Sequence, residues 1–158
     1  MTMKAIKYIK GDATCPDAGG NKIIAHICND IGGWGKGFVT AISKRWRQPE
    51  KEYREWFKNK ENFNLGEIQL VQTEEDLWIC NMIAQHKIIT HSDVPPIRYD
   101  AVEECLLKLA HEATQQNASV HMPRIGCGLA GGKWEEIEPI IERTLLAKEI
   151  QVYVYDFE

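Results

Sequence analysis

Two glycine-rich stretches carry the residue types from which a ligand site can be built. In "AHICNDIGGWGKGF", residues 25–38, Gly32, Gly33, Gly35 and Gly37 fall within six positions; in "GCGLAGGKW", residues 126–134, Gly126, Gly128, Gly131 and Gly132 fall within seven. Glycine loses more conformational entropy on folding than any other residue, so this density implies either positive φ angles or a partner that approaches the main chain closely. A turn alone needs one or two such residues. Bare backbone presents N–H groups, and two such loops, each feeding a helix N-terminus, suit a diphosphate.

Known phosphate patterns fit only in part. The motif GxxxxGK[ST] fails around Gly35-Lys36, where Asp30 replaces the first glycine and Gly37 the hydroxyl. "GCGLAG" does match GxGxxG, with Asp156 at a suitable distance for a ribose contact, but a dinucleotide-binding unit continues well past its glycines and here little sequence follows. A cysteine phosphatase loop needs His before its cysteine and Arg six residues after it; Gly126 precedes Cys127 and Lys133 follows. Cys127 therefore reads as a small thiol rather than a nucleophile. His26, three residues before Asn29, has the chemistry of a general acid or base, as does a histidine bonded to backbone in a core. Asp30 and His86 are weaker candidates on neighbouring loops.

The elements that would position these residues follow from periodicity. "KAIKYIKGD" alternates as a strand ending at Gly11-Asp12, and residues 22–29 form an apolar, β-branched strand leading into the first glycine loop. "VTAISKRW" reads as a helix running on into "PEKEYREWF", with Pro49 at a break or a new first turn. "EIQLVQT" and "LWICNMIAQ" flank the acidic turn 74–76 as a hairpin. Loop runs from His86 to Pro96, then Ala101, Val102, Cys105, Leu106, Leu109, Ala110 and Ala113 mark a helix over 97–116. "SVHMPRI" is a strand, "EEIEPIIERTLLAK" a helix containing Pro139, and "IQVYVYDF" a closing strand. The expected fold is α/β, with a mostly parallel sheet covered on both faces and ligands at the carboxyl ends of its strands.

The chain has 158 residues, 44% hydrophobic and 27% charged, consistent with one domain spanning 1–158. A net charge of −4 without a basic run argues against nucleic acid as a general partner. No apolar run approaches a membrane span or a signal-peptide core. Five cysteines without a CxxC argue against a disulfide framework or zinc knuckle, so no metal is expected and the setting expected is cytoplasmic.

Taken together, "GDA" after the first strand, "AHICNDIGGWGKG" after the second, "NMIAQ" in the hairpin and "MPRIGCGLAGGKW" before the last helix resemble the macrodomain family of ADP-ribose binders over nearly the whole chain. Within the family the likeness is to the branch holding terminal ADP-ribose glutamate hydrolases and the yeast ADP-ribose 1''-phosphate phosphatase. The resemblance implies a three-layer α/β/α fold with a central mixed, mostly parallel sheet, no cofactor, and a monomer that binds ADP-ribose, a derivative of it, or ADP-ribosylated protein.

Residue by residue, the resemblance places Asp12, with Ala13 beside it, at the adenine amino group, and Asn29 at the distal ribose. Gly32, Gly33, Trp34, Gly35 and Gly37 would pass under the diphosphate and distal ribose, with Trp34 either sheltering the ribose or packing on the sheet. Ile125, Gly126, Cys127, Gly128, Leu129 and Ala130 would close over the pyrophosphate and proximal ribose. His26 and Asn29 are the catalytic candidates, and Lys36 a possible phosphate partner. The lysine and aspartate of the glutamate hydrolases are replaced by Gln85 and Ala130, so their covalent mechanism does not carry over. Three functions compete: hydrolysis of a phosphate, acyl or protein substituent from the distal ribose, ADP-ribose binding without turnover, and nicotinamide dinucleotide oxidoreduction through "GCGLAG".

Overall fold

A computed structural model describes residues 4–88 and 94–157. Six strands, β1 (Lys7–Lys10), β2 (Asn21–Asn29), β3 (Ile68–Glu74), β4 (Leu77–Gln85), β5 (Ala118–Met122) and β6 (Val152–Asp156), form one sheet in the order β1-β6-β5-β2-β4-β3. Every pairing is parallel except the β3–β4 hairpin, whose turn is the acidic 75–76 segment. The helices are α1 (Phe38–Arg45), α2 (Gln48–Asn59), α3 (Tyr99–Gln116) and α4 (Trp134–Thr144).

Because side chains alternate along a strand, β2 and β4 feed two cores at once. Ile23, Ala25, Cys80, Met82 and Ala84 pack with the apolar stripes of α3 and α4, whereas Ile24, Cys28, Ile79 and Ile83 pack with Val39, Ile42 and Tyr53 of α1 and α2. The result is a three-layer α/β/α molecule with a mixed, mostly parallel sheet.

The boundaries differ from the periodicity in explicable ways. The helix expected to run through 39–57 is two, interrupted at 46–47, with Pro49 in the first turn of α2 where its missing N–H costs nothing. Strand β5 stops at Met122, because Pro123 cannot donate to a ladder. Pro139 lies beyond the first turn of α4, and the carbonyl it leaves unpaired belongs to exposed Glu135. That helix ends at Thr144 and gives way to a 3-10 turn, Leu146–Lys148.

Candidate functional site

Five parallel strands put the residues that follow Lys10, Asn29, Gln85, Met122 and Asp156 on one edge of the sheet. The loops there touch. A Cβ placed on Gly37 would lie 3.7 Å from Leu129 Cδ1, and one on Gly33 would lie 2.7 Å from Ile88 Cδ1. The Ile97 N–H donates to Ala130 O at 3.1 Å, so the segment after β4 is tied to the second glycine loop. Helices α1 and α4 both begin at these loops without a side-chain cap, which leaves their first N–H groups to other acceptors.

The first loop is organised from Asn29, which is 9% exposed. Its side-chain oxygen accepts from Ile31 N (3.1 Å), Gly33 N (2.9 Å) and the Tyr53 hydroxyl (3.0 Å), and its Nδ2 donates to Gly33 O at 2.9 Å. Tyr53 also donates to the Asn29 main-chain carbonyl at 2.6 Å. The amide expected at a ribose therefore first shapes the loop, and one N–H of Nδ2 remains. Tyr53 was not singled out from the sequence; its only signal there was a place in the apolar stripe of "PEKEYREWF".

Gly32 and Gly126 are among the glycines the fold itself requires. Gly32 has φ +77° and sits under the Phe57 ring, 2.5 Å from where its Cβ would be, and Gly126 has φ +73° with Ile97 and Ile27 against the same position. Gly35 and Gly128 differ: a Cβ there would meet no described atom within 4 Å.

Several expected site side chains lie inside the molecule. Trp34 is 6% exposed, donates from Nε1 to Ser43 Oγ at 2.7 Å and packs on Tyr53. Ala13, Ile125 and Ala130 are buried. The Cys127 thiol is half-buried and burial raises its pKa, as expected of an inert thiol. Asp12 lies at the end of β1, where Oδ1 accepts from both the Thr14 N–H (2.8 Å) and its hydroxyl (2.7 Å). Arg45 braces this turn through Thr14 Oγ1 and the Cys15 thiol. Lys36 is exposed.

His26 lies deeper than its place near a strand end implies. It is 2% exposed, with Nε2 2.5 Å from Asn81 Oδ1 and its ring edge-on to Trp34, in the layer between the sheet and α1. Its position on β2 gives it the face of Ile24 and Cys28, which packs against α1 and α2. Burial lowers its pKa to about 4, and the same cause holds His121, bonded to Ser119 and Tyr155, at about 4.

Both rings are thus neutral in the folded chain, whereas in the unfolded chain they titrate near 6.5. Below that pH the unfolded chain binds protons the folded chain does not, so stability falls as pH drops from 6.5 toward 4 and levels off below. Each histidine contributes on the order of 1.4 kcal/mol per pH unit across that window. Melting curves should show a Tm several degrees lower at pH 5 than at pH 7.5, and His26→Gln should flatten the slope. A flat Tm between these pH values would contradict the burial of both rings.

Asp156 also loses its expected part in a dinucleotide site, because Arg124 holds its carboxylate through two bonds of 2.6 and 3.0 Å. Phe157, 80% exposed, follows it beside Gly11, whose N–H donates to Asp156 O at 3.0 Å. Among the described residues no group of acidic, histidine or cysteine side chains has the arrangement of a metal site. No helix there is long and apolar enough to cross a membrane.

Residues 25–141 match the family profile described as Macro domain. The chain belongs to this family. Among solved structures, a macrodomain protein from Streptomyces coelicolor is 49% identical with a TM-score of 0.87, covering 96% of this chain and 99% of that one. The mouse chromodomain-helicase-DNA-binding protein 1-like is 34% identical over 97% of this macro domain, which spans only 18% of that protein's length. The ADP-ribose 1''-phosphate phosphatase of Lodderomyces elongisporus is 26% identical, covering 96% of this macro domain and 99% of that protein.

Proposed function

We propose that this chain is a single, monomeric macro domain over residues 1–158, which binds ADP-ribose across the crevice and hydrolyses a phosphate or acyl substituent from the distal ribose. The observation that carries the reading is the meeting of two sparsely covered glycine loops over the ends of five parallel strands, each loop leading into an uncapped helix. Main-chain N–H groups there suit a diphosphate on a molecule of net charge −4. Asp12, with Oδ2 unengaged among the described residues, suits an adenine amino group, and exposed Phe157 beside it offers a stacking face. Similarity along its length to an ADP-ribose 1''-phosphate phosphatase supports hydrolysis. The free, mostly buried cysteines fit a cytoplasmic setting.

Turnover on this reading is noncovalent. Gln85, at the position where the glutamate hydrolases place a lysine, carries a neutral amide that donates to Lys87 O at 2.9 Å, and an amide is a poor nucleophile. A second reading, binding without turnover, is favoured by the enclosure of His26 and the engagement of Asn29 within its own loop.

Calorimetry with ADP-ribose, AMP and intact NAD tests the binding. ADP-ribose should bind at least about tenfold tighter than either, since only it offers both phosphates and a free distal ribose. Equal affinity for AMP would remove the two-loop diphosphate site. Release of phosphate from ADP-ribose 1''-phosphate, or of acetate from O-acetyl-ADP-ribose, separates the enzyme from the module.

A further inference from the structure

With His26 enclosed, proton transfer must come from elsewhere if the proposed hydrolysis occurs. The Asp30 N–H donates to Gln85 O at 2.9 Å, carrying the β2–β4 pairing past the irregularity at Asn29 and bringing Asp30 and His86 side by side at the crevice edge. His86 Nδ1 lies 2.7 Å from Asp30 Oδ2, while Asp30 Oδ1 accepts from the Lys87 N–H at 2.7 Å. Both carboxylate oxygens are therefore engaged, and the group is 17% exposed against 42% for the imidazole. The Asp30 carboxylate oxygen accepts a hydrogen bond donated by Nδ1–H, which fixes the tautomer and leaves Nε2 as a lone-pair acceptor. That atom has no partner among the described residues.

Position supports chemistry rather than a simple clamp. The Lys87 bond alone would tie the two loops together, and it needs no histidine. Two residues beyond His86, Ile88 lies against Gly33, whose N–H and carbonyl are held by Asn29. The pair thus borders the first glycine loop, where the proposed reading puts the distal ribose. Of the other described histidines, His26 and His121 are buried and His111 lies on α3, outside the loops of this edge.

We propose that His86 is the proton-transfer residue of this macro domain and Asp30 the residue that positions it, an inference that rests on the hydrolytic reading above. Nε2 takes a proton from a water whose oxygen bonds to the phosphorus or acyl carbon of the substituent. The bond from that atom to the ribose oxygen breaks, and the oxygen receives the proton back from Nε2. Water is consumed, ADP-ribose and the free acid are formed, and the imidazole ends neutral.

The test uses ADP-ribose 1''-phosphate and O-acetyl-ADP-ribose with the wild-type chain, His86→Ala and Asp30→Asn, alongside ADP-ribose calorimetry and melting. His86→Ala should lower kcat by about 10²- to 10⁴-fold, with ADP-ribose affinity within about threefold of wild type, and added imidazole should restore part of the rate. Asp30→Asn should lower kcat about tenfold or more with KM little changed. Wild-type turnover with unchanged kcat in His86→Ala overturns the dyad and leaves the hydrolase. A loss in His86→Ala that imidazole does not restore, accompanied by an equal loss of affinity, reduces the pair to a loop clamp. Wild-type binding without turnover of either substrate overturns the hydrolytic reading and this assignment together.

Discussion

Asn29→Ala is expected to lose more than about 100-fold in ADP-ribose affinity and roughly 5–15 °C in Tm. The amide satisfies Ile31 N, Gly33 N, Gly33 O and a second contact of the Tyr53 hydroxyl, all from one side chain. Each buried group left unpaired costs about 1–3 kcal/mol, and because the outer part of the loop can take up water, the total should be on the order of 2–4 kcal/mol. Asn29→Asp separates the contributions. It keeps an acceptor for Ile31, Gly33 and Tyr53 but turns an oxygen toward the Gly33 carbonyl, so its effect should be intermediate. Calorimetry and melting on the two variants check this, and an Asn29→Ala chain with normal Tm and normal affinity would mean that the loop holds its shape by other means.

The second large effect distinguishes two glycines of one loop. At Gly126 a valine would be forced into the left-handed region, costing about 1–2 kcal/mol or more for a β-branched residue, with its Cβ driven into Ile97. Gly126→Val should lower Tm by several degrees and abolish binding, because the turn that carries the loop is lost. Gly128 has no positive φ and no described atom within 4 Å of a Cβ. Gly128→Val should therefore melt within about 2 °C of wild type yet bind ADP-ribose at least about tenfold more weakly, by covering main chain that the diphosphate needs. Normal affinity in a stable Gly128→Val chain would place the ligand elsewhere.

The layered fold and the loops of the crevice were legible in the sequence because their signals are local. Glycine density, apolar runs and helical periodicity all reside in short windows. What was not legible depended on which face of an apolar strand a residue takes, or on partners distant in sequence. In a strand buried on both faces, polarity does not mark the inside, so His26 near a strand end resembled a catalytic group when its register gave it to the core. The need for glycine at position 32 comes from Phe57, and the role of Asn29 comes from Tyr53, 24 positions away. The dyad was visible only as two separate weak candidates, since nothing short of strand pairing joins Asp30 to His86.

Helix α2 braces the first loop from behind through Tyr53 and Phe57, and these rings pack in turn on Phe63. The crevice wall thus has a rear that tolerates little change and a front that tolerates much. Ile31, Ile88 and Leu129, exposed by 44, 46 and 57%, stand on the front. On the proposed reading, exchange of those three alters which conjugate of ADP-ribose is admitted and leaves the phosphate seat in place. Drift among the aromatic rings of α2 would be felt as the disappearance of the seat, although none of those rings need ever meet the ligand. On that reading, substrate choice is set at the rim, while recognition rests on a helix that has no visible part in it.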